Sequence, residues 1–434
     1  MNALLIRGVA VGALAGLLFG FDTAVIAGTT EGIRQAYGLD AAGVGITVSS
    51  ALWGTLAGAL FSGAPGDRFG ARNALVAIAV LYFVSAIGCL FAWSWGALIV
   101  FRVLAGLAVG ASSVLAPVYI AEIAPAERRG MLVGAFQLNI VLGILVAYLS
   151  NALVTSLDLG VLDWHVKFGV TGIPALLLLA MMFTIPASPR WLAAKGRGEE
   201  ARAVLAALGT TDPDAELAAY RRAEAVSAAP RLSWRRHRKP ILLAFAIASF
   251  NQLSGINAIL YYLNDIFGAA GFDTVSADRQ AIVIGACNLI FTALALTVID
   301  RFGRKTLLLV GAAGVTASLA GVAAVFLTGS HQDLLLWLLI GFIASFAFSQ
   351  GAVIWVYISE IFPTDVRARG QSLGSSTHWF MDAIIATAFP LVAMHMRGLP
   401  FVFFAACMAL QFVVVLVWFP ETKRRSLESL ETGL

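Results

Sequence analysis

Charge is what this chain has least of. Only 12% of its 434 residues are Asp, Glu, Lys or Arg, against about 25% in an ordinary soluble domain. So few charges cannot coat a water-facing surface of this length, which excludes a soluble globular enzyme. Cysteine is nearly missing too. The three residues, Cys89, Cys287 and Cys407, each lie inside an apolar run, so neither a disulfide framework nor a thiolate metal site is on offer. The five histidines show no metal-ligand or Ser/His/Asp spacing. His165, His237, His331 and His395 read as loop or span-edge residues. No glycine-rich phosphate cradle is placed to support an intramembrane enzyme, and no cofactor or metal is expected. Alternating apolar patterning is also lacking, because the runs are continuous, and this rules out a transmembrane barrel.

What is present is hydrophobic, 59% of all residues. It falls into twelve runs long enough to cross a bilayer, at about 5–28, 42–64, 73–92, 96–121, 130–152, 167–186, 240–267, 279–299, 306–328, 333–359, 370–394 and 399–419. The expected fold is an all-α membrane protein of twelve transmembrane helices. The first run is too long for a cleaved leader, and Asp22 interrupts the place where cleavage would fall.

Lysine and arginine set the expected orientation. With the N-terminus inside, the cytoplasmic side collects Arg68, Arg72, Arg128, Arg129, Arg235, Arg236, Arg238, Lys239, Arg301, Arg304, Lys305, Arg367, Arg369, Lys423, Arg424 and Arg425. The outside keeps only Arg34, Lys167, Arg279 and Arg397. Both termini are therefore expected in the cytoplasm. The net charge of +4 is a topology signal and gives no reason to expect nucleic acid. The partners expected are the lipid bilayer, a small substrate and protons, with the chain acting as a monomer.

One hydrophilic segment, rich in Ala, Glu and Arg, divides the runs six and six. The domains expected are a first bundle over 1–186, a cytoplasmic linker with short helices over 187–239, a second bundle over 240–419 and a tail over 420–434. The halves repeat. Asp67-Arg68-Phe69-Gly70-Ala71-Arg72 follows the second run, and Asp300-Arg301-Phe302-Gly303-Arg304-Lys305 follows the eighth. Tyr119 to Pro125 with Arg129 ends the fourth run, and Tyr357 to Pro363 with Arg367 ends the tenth. Two pseudosymmetric bundles with binding at the midplane form a transporter architecture. The carboxylates Asp67, Glu122, Asp300 and Glu360 can pair with arginines such as Arg72, Arg129, Arg304 and Arg367, as latches that close and part during a cycle. The plainer reading of these charges is topology and loop solubility.

The chain is organised around Phe250 to Tyr262, FNQLSGINAILYY. A helix facing hydrocarbon does not carry Asn251, Gln252, Ser254, Asn257, Tyr261 and Tyr262 together, because each unpaired polar group costs about 2–7 kcal/mol to bury. On an unbroken helix Gln252 and Asn257 differ by about 140° in azimuth and occupy adjacent flanks. Amides and tyrosines suit a neutral, polyhydroxylated ligand, and the alternative is glue between helices. Asp22 and Arg102 are the clearest charges inside runs. Each lies about six residues, or about 9 Å, from the outer end of its helix, so a pair is plausible. Desolvation favours a carboxyl group's neutral form and a guanidinium its ionised form. A carboxyl whose partner comes and goes can thus load and release a proton, whereas a permanent pair would be structural. His378 and Asp382, four residues apart, share a face in the eleventh run. They read as a second titrating pair or as polar ligand contacts.

These residues carry a pattern that resembles the sugar porter branch of the major facilitator superfamily over nearly the whole chain. The motifs are LFGFDTAVIAG (18–28), RVLAGLAVG (102–110), YIAEIAPAERRG (119–130), QLNIVLGILVAY (137–148), SPRWL (188–192), QLSGINAILYY (252–262), DRFGRK (300–305), SEIFP (359–363) and PETK (420–423). DRxGR alone is weak evidence, and its combination with QLSGIN, SPRWL and PETK is specific. The resemblance implies proton–monosaccharide symport by alternating access. It implies sugar contacts at Gln137, Gln252, Asn257, Asn288, Trp355 and Trp379, with Phe19, Asn251, His378 and Asp382 in the same set. It implies proton coupling at Asp22 with Arg102, and gating at Tyr261 and Tyr262. Five departures stand out. Asn251 and His378 replace the usual Gln and Asn/Gln, Asp382 stands where Asn is frequent, and Ala187 replaces the acid before SPR. Ala352 replaces a tenth-span proline, so a softened bend is expected there. Passive facilitation, with a structural Asp22–Arg102 pair, is the main alternative. A sugar sensor would need a longer tail than the roughly fifteen residues after Phe419, and an antiporter of drugs or organic acids fits the amide-and-aromatic set poorly.

Overall fold

The structure, a computed structural model, describes residues 3–125, 128–225, 232–363 and 366–423, without the side chains of residues 129, 130, 133, 221–225, 300 and 368. Among the described residues the chain is helical throughout, with three short 3-10 turns and no strand. Twelve helical spans are long and apolar enough to cross a membrane: Ala3–Gly28, Ala41–Phe61, Ala71–Leu90, Trp95–Ile123, Gly134–Thr155, Gly160–Met182, Trp234–Tyr261, Thr274–Ile299, Arg304–Thr328, Gln332–Ile361, Arg369–His395 and Leu399–Trp418. Helix is dictated here because a backbone group facing lipid must find its partner within its own segment. This is a multi-pass membrane protein.

Local chemistry marks the ends. Ser94 caps the fourth span by accepting from the Ala97 amide, and Asp273 caps the eighth by accepting from that of Ser276. The internal repeat is a repeat of conformation: Gly70 and Gly303 end matching turns with φ of 83° and 92°. Several boundaries differ from the hydropathy reading. The sixth span begins earlier, at Gly160, the eighth at Thr274, and the seventh runs from Trp234 to Tyr261 with a helix break after Leu253.

The chain forms two compact units. The first comprises Met1–Thr23, Trp53–Ala147 and His165–Ala228, and the second Ala24–Leu52, Tyr148–Trp164 and Ala229–Leu434. The core of the first is built on Val11, Leu18, Tyr82, Tyr119, Ile120 and Leu178, all buried. The linker helices Pro189–Ala194, Gly198–Ala207 and Pro213–Ala225 belong to this unit and share a small core of Leu192, Ala201, Leu205 and Leu217. The core of the second is built on Leu243, Leu308, Val353, Tyr357, Phe362 and Phe419. The second unit also takes the ends of the first, second and fifth spans. There the Tyr148 hydroxyl donates to the Leu260 carbonyl at 3.0 Å, and Asn151 donates to Val25 at 3.1 Å.

In the first unit, the first and fifth spans cross at small residues. A methyl group on Gly143 would lie 2.1 Å from the Leu17 carbonyl oxygen, and one on Gly20 would lie 1.8 Å from that of Ile140. The obstacle in both cases is backbone, which cannot rotate away. Close approach of this kind is how helices pack where no hydrophobic effect drives association. Gly143→Val is therefore expected to destabilise the protein by about 1–3 kcal/mol through overpacking. The measurement is the melting temperature in detergent. Gly96→Ala, which meets nothing within 4 Å, serves as the control, and equal melting of both variants would refute the crossing.

The tenth span is interrupted three residues before Ala352, without proline: Ser349, at φ −120° and ψ −88°, separates Leu335–Phe348 from Gln350–Ile361. The Ser349 hydroxyl donates to the Ser345 carbonyl at 2.6 Å, taking up an acceptor near the break.

Candidate functional site

The seventh span is three helical pieces. Trp234–Leu253 ends at Ser254, Ile256–Tyr261 follows Gly255, and Leu263–Ala269 follows a second break at Tyr262. Gly255 has φ +78°, and a methyl group there would lie 2.3 Å from the Phe404 ring, so glycine is required on both counts. The Ser254 hydroxyl donates to the Asn251 carbonyl at 2.6 Å and accepts from the Ile256 amide at 3.3 Å. It thus satisfies groups that the break releases, and it does so as part of the joint. Broken helices inside a membrane occur where backbone is buried in protein or lines a cavity, and transporters place their sites at them.

The break overturns the azimuths expected for an unbroken helix and brings the two flanks together. Asn257 Nδ2 donates to Gln252 Oε1 at 3.3 Å and to Asp382 Oδ2 at 2.9 Å. The Tyr261 hydroxyl donates to the same Asp382 oxygen at 2.9 Å. Gln252 Nε2 lies 3.3 Å from Asn251 Oδ1, and 3.2 and 3.0 Å from the two ring nitrogens of His378. A neutral imidazole accepts this bond through whichever nitrogen lacks a proton. The His378 ring in turn meets Trp355 at 5.2 Å and Trp379 edge-on at 5.0 Å between centroids. Asn251, Gln252, Trp379 and Asp382 are buried. The result is one cluster of three amides, an imidazole, a phenol and a carboxyl beside two indoles. Such a set can hydrogen-bond hydroxyls and stack against the apolar face of a ring.

Two residues expected in or near the cluster stand apart from it. The Tyr262 hydroxyl donates to the Ala386 carbonyl at 2.8 Å, and its ring stacks on Phe389. Asn288, on the eighth span, accepts from Thr292 on its own helix at 3.4 Å.

The first unit holds the buried ion pair. Arg102 Nη1 lies 2.9 Å from Asp22 Oδ1, with both side chains over nine-tenths buried. The guanidinium sits over the Phe168 ring, 5.2 Å from its centroid. Arg102 Nε has no hydrogen-bond partner among the described residues. Phe19 lies one turn before Asp22, and Gln137 is half-buried on the fifth span.

The charges at the motif ends are partly tied within their own unit. Arg304 holds Glu360 through two bonds of 2.7 and 3.1 Å, and Thr422 donates to Glu360 at 2.6 Å. Glu421, in the PETK motif, accepts from the backbone amides of Arg304 and Lys305. In the first unit, Arg72 donates to the Met182 carbonyl, and the Trp191 indole donates to the Asp67 carbonyl. Glu122 hydrogen-bonds Ser188 and faces Arg190. Arg367 is half-buried beside the eleventh span. The side chains of Arg129 and Asp300 lie outside the described residues.

The sequence reading missed a polar cluster in the second unit. Thr30 donates to Asp265 Oδ2 at 2.7 Å, and Arg34 lies 3.5 Å from its other oxygen while also pairing with Glu31. The signal was an acid three residues past Tyr262, but its partners lie more than 200 residues away in sequence.

The chain is similar to known transporters along its whole length. The profile of the family described as "Sugar (and other) transporter" matches residues 8–434. A probable metabolite transport protein of Bacillus subtilis is 37% identical over 437 residues, covering 98% of this chain and 93% of that protein. The D-xylose-proton symporter of Escherichia coli is 33% identical over 472 residues, covering 97% and 94%. The inward-open structure of the Escherichia coli xylose transporter XylE superposes with a TM-score of 0.89 at 30% identity, covering 99% of each chain. With twelve spans, a repeated motif set and these matches, the chain belongs to the sugar transporter family of the major facilitator superfamily.

Proposed function

We propose that the protein carries a monosaccharide, a pentose or hexose, into the cell together with a proton. Sugar binds at the break in the seventh span. Gln252 and Asn257 hydrogen-bond its hydroxyls, Trp355, His378 and Trp379 flank its ring, and Asn251 and Asn288 complete the contacts. Both termini lie in the cytoplasm, as the excess of lysine and arginine there requires. Transport proceeds by alternating access, with no covalent chemistry. The motif-end carboxylates and arginines act as latches on the cytoplasmic side, and Tyr261 and Tyr262 gate the opposite side.

One observation favours symport over passive facilitation: the buried Asp22–Arg102 pair. Two desolvated charges are costly even when paired, and replacing such pairs with apolar residues is often neutral or stabilising. A buried pair is therefore poorly accounted for by stability alone, and a proton-binding role accounts for it. The similarity to a D-xylose-proton symporter supports the same reading.

The test is uptake of radiolabelled D-xylose, D-glucose and D-galactose into proteoliposomes, with and without an inward proton gradient. Accumulation of one of these sugars above equilibrium, only with the gradient, is expected. Equilibration that ignores the gradient would establish the facilitator instead. Uptake of none would overturn the substrate class.

A further inference from the structure

Asp382 is the one carboxyl in the seventh-span cluster, and its two oxygens have unequal surroundings. Oδ2 accepts two bonds, from Asn257 Nδ2 and the Tyr261 hydroxyl, both at 2.9 Å. Oδ1 is buried and has no hydrogen-bond partner among the described residues. The residue as a whole is 1% exposed.

The groups around it carry no compensating charge. On its own helix the nearest titratable group is His378, one turn earlier, with Gln252 against its ring. The first two pieces of the seventh span supply Asn251, Gln252, Asn257 and the phenol Tyr261. On the tenth span, Glu360 is bound to Arg304, and Tyr357 donates to the Pro420 carbonyl. On the twelfth, the neutral amide of Gln411 is bound to Gln350, and Cys407 is the one titratable group among its described residues. No lysine or arginine forms an ion pair with Asp382 among the described residues. An ionised carboxylate in such a place has its charge uncompensated, which is costly to bury.

A neutral acid satisfies the observed bonding. Oδ2 then acts as a carbonyl oxygen with both lone pairs used, and Oδ1 carries a hydroxyl whose hydrogen has no protein acceptor. That hydrogen requires an acceptor from elsewhere, and a sugar hydroxyl oxygen is one. We propose that Asp382 is a proton-dependent ligand contact, which binds substrate as the neutral acid by donating from Oδ1 to a hydroxyl oxygen of the sugar. The proposal rests on the sugar-binding reading above. It adds a proton-binding group in the second unit, independent of Asp22 in the first. Affinity is full where Asp382 is protonated and falls as pH rises through its ionisation.

The experiment is equilibrium binding of D-xylose and D-glucose to the purified full chain, monitored by tryptophan fluorescence. The variants are Asp22→Asn, which removes the other proton site, and Asp22→Asn/Asp382→Asn. Asparagine offers the same oxygen acceptor and a donor in place of the acid hydroxyl, and it does not titrate. Asp22→Asn is expected to lose affinity as pH rises through the ionisation of Asp382, approaching about tenfold per pH unit above it. The double variant is expected to change by less than about twofold over the same range. A pH-independent dissociation constant in Asp22→Asn overturns the proposal while leaving sugar binding intact, and it does so whether or not the double variant folds. Undiminished pH dependence in the double variant also overturns it. Binding of neither sugar by the wild type overturns this proposal together with the substrate class.

Discussion

Where the pH on both sides keeps Asp382 protonated, Asp22→Asn is expected to abolish proton-driven accumulation while sugar still crosses down its own gradient. The size of the effect is set by the gradient. With one proton per sugar, a pH difference of about one unit supplies about 1.4 kcal/mol and sustains about tenfold accumulation. The variant should fall to an inside-to-outside ratio near one. The physical reason lies in the pair itself. Asp22 and Arg102 are bonded at 2.9 Å in a buried site, so a proton arriving on Asp22 removes its attraction for the guanidinium. Asparagine can neither take that proton nor release it. The substitution also leaves the buried Arg102 charge uncompensated, which costs about 3–5 kcal/mol if nothing rearranges. A lower melting temperature in detergent should accompany the transport defect. An Asp22→Asn protein that accumulates sugar tenfold under the gradient would remove Asp22 from the coupling step.

Gln252→Ala is expected to raise the sugar concentration for half-maximal uptake by about tenfold to a hundredfold, because a hydrogen bond lost from a buried polar site costs about 1–3 kcal/mol. The residue is the hub of the cluster. It meets Asn251, Asn257 and His378, and truncation leaves all three without that partner. Asn288→Ala gives the contrast. Its observed partner is Thr292 on the same helix, so a smaller effect is expected. Concentration dependence of initial uptake measures both. Equal and small effects would place sugar recognition outside the seventh-span break.

Much of this was readable in the residues, for identifiable reasons. Span number is dictated by hydropathy alone. The Asp22–Arg102 pair could be anticipated from depth, because both residues lie in uninterrupted helices where rise per residue converts position into height. The turns at Gly70 and Gly303 repeat in conformation as they repeat in sequence. Where the reading failed, a helix was broken. Gly255 rotates the next helical piece, so Asn257 reaches Gln252 and Asp382 although the helical wheel separated the flanks. Ser349 interrupts the tenth span at a place the hydropathy reading left continuous. A lone glycine or serine in an apolar run does not announce a break, since most such residues sit in regular helix. Long-range partners were equally hidden. Nothing in the PETK motif shows that Glu421 will cap the helix beginning at Arg304, and nothing near Asp265 points to Thr30.

The central claim is that sugar and proton cross together through Asp22. The most direct measurement is proton entry into proteoliposomes loaded with a pH-sensitive dye, after sugar is added outside with no proton gradient imposed. The account predicts that the lumen acidifies as sugar enters, and that Asp22→Asn, assayed at a pH low enough to keep Asp382 protonated throughout, takes up sugar without acidification. Sugar entry by the wild type with no change in lumenal pH would contradict it and leave a passive carrier with a structural ion pair.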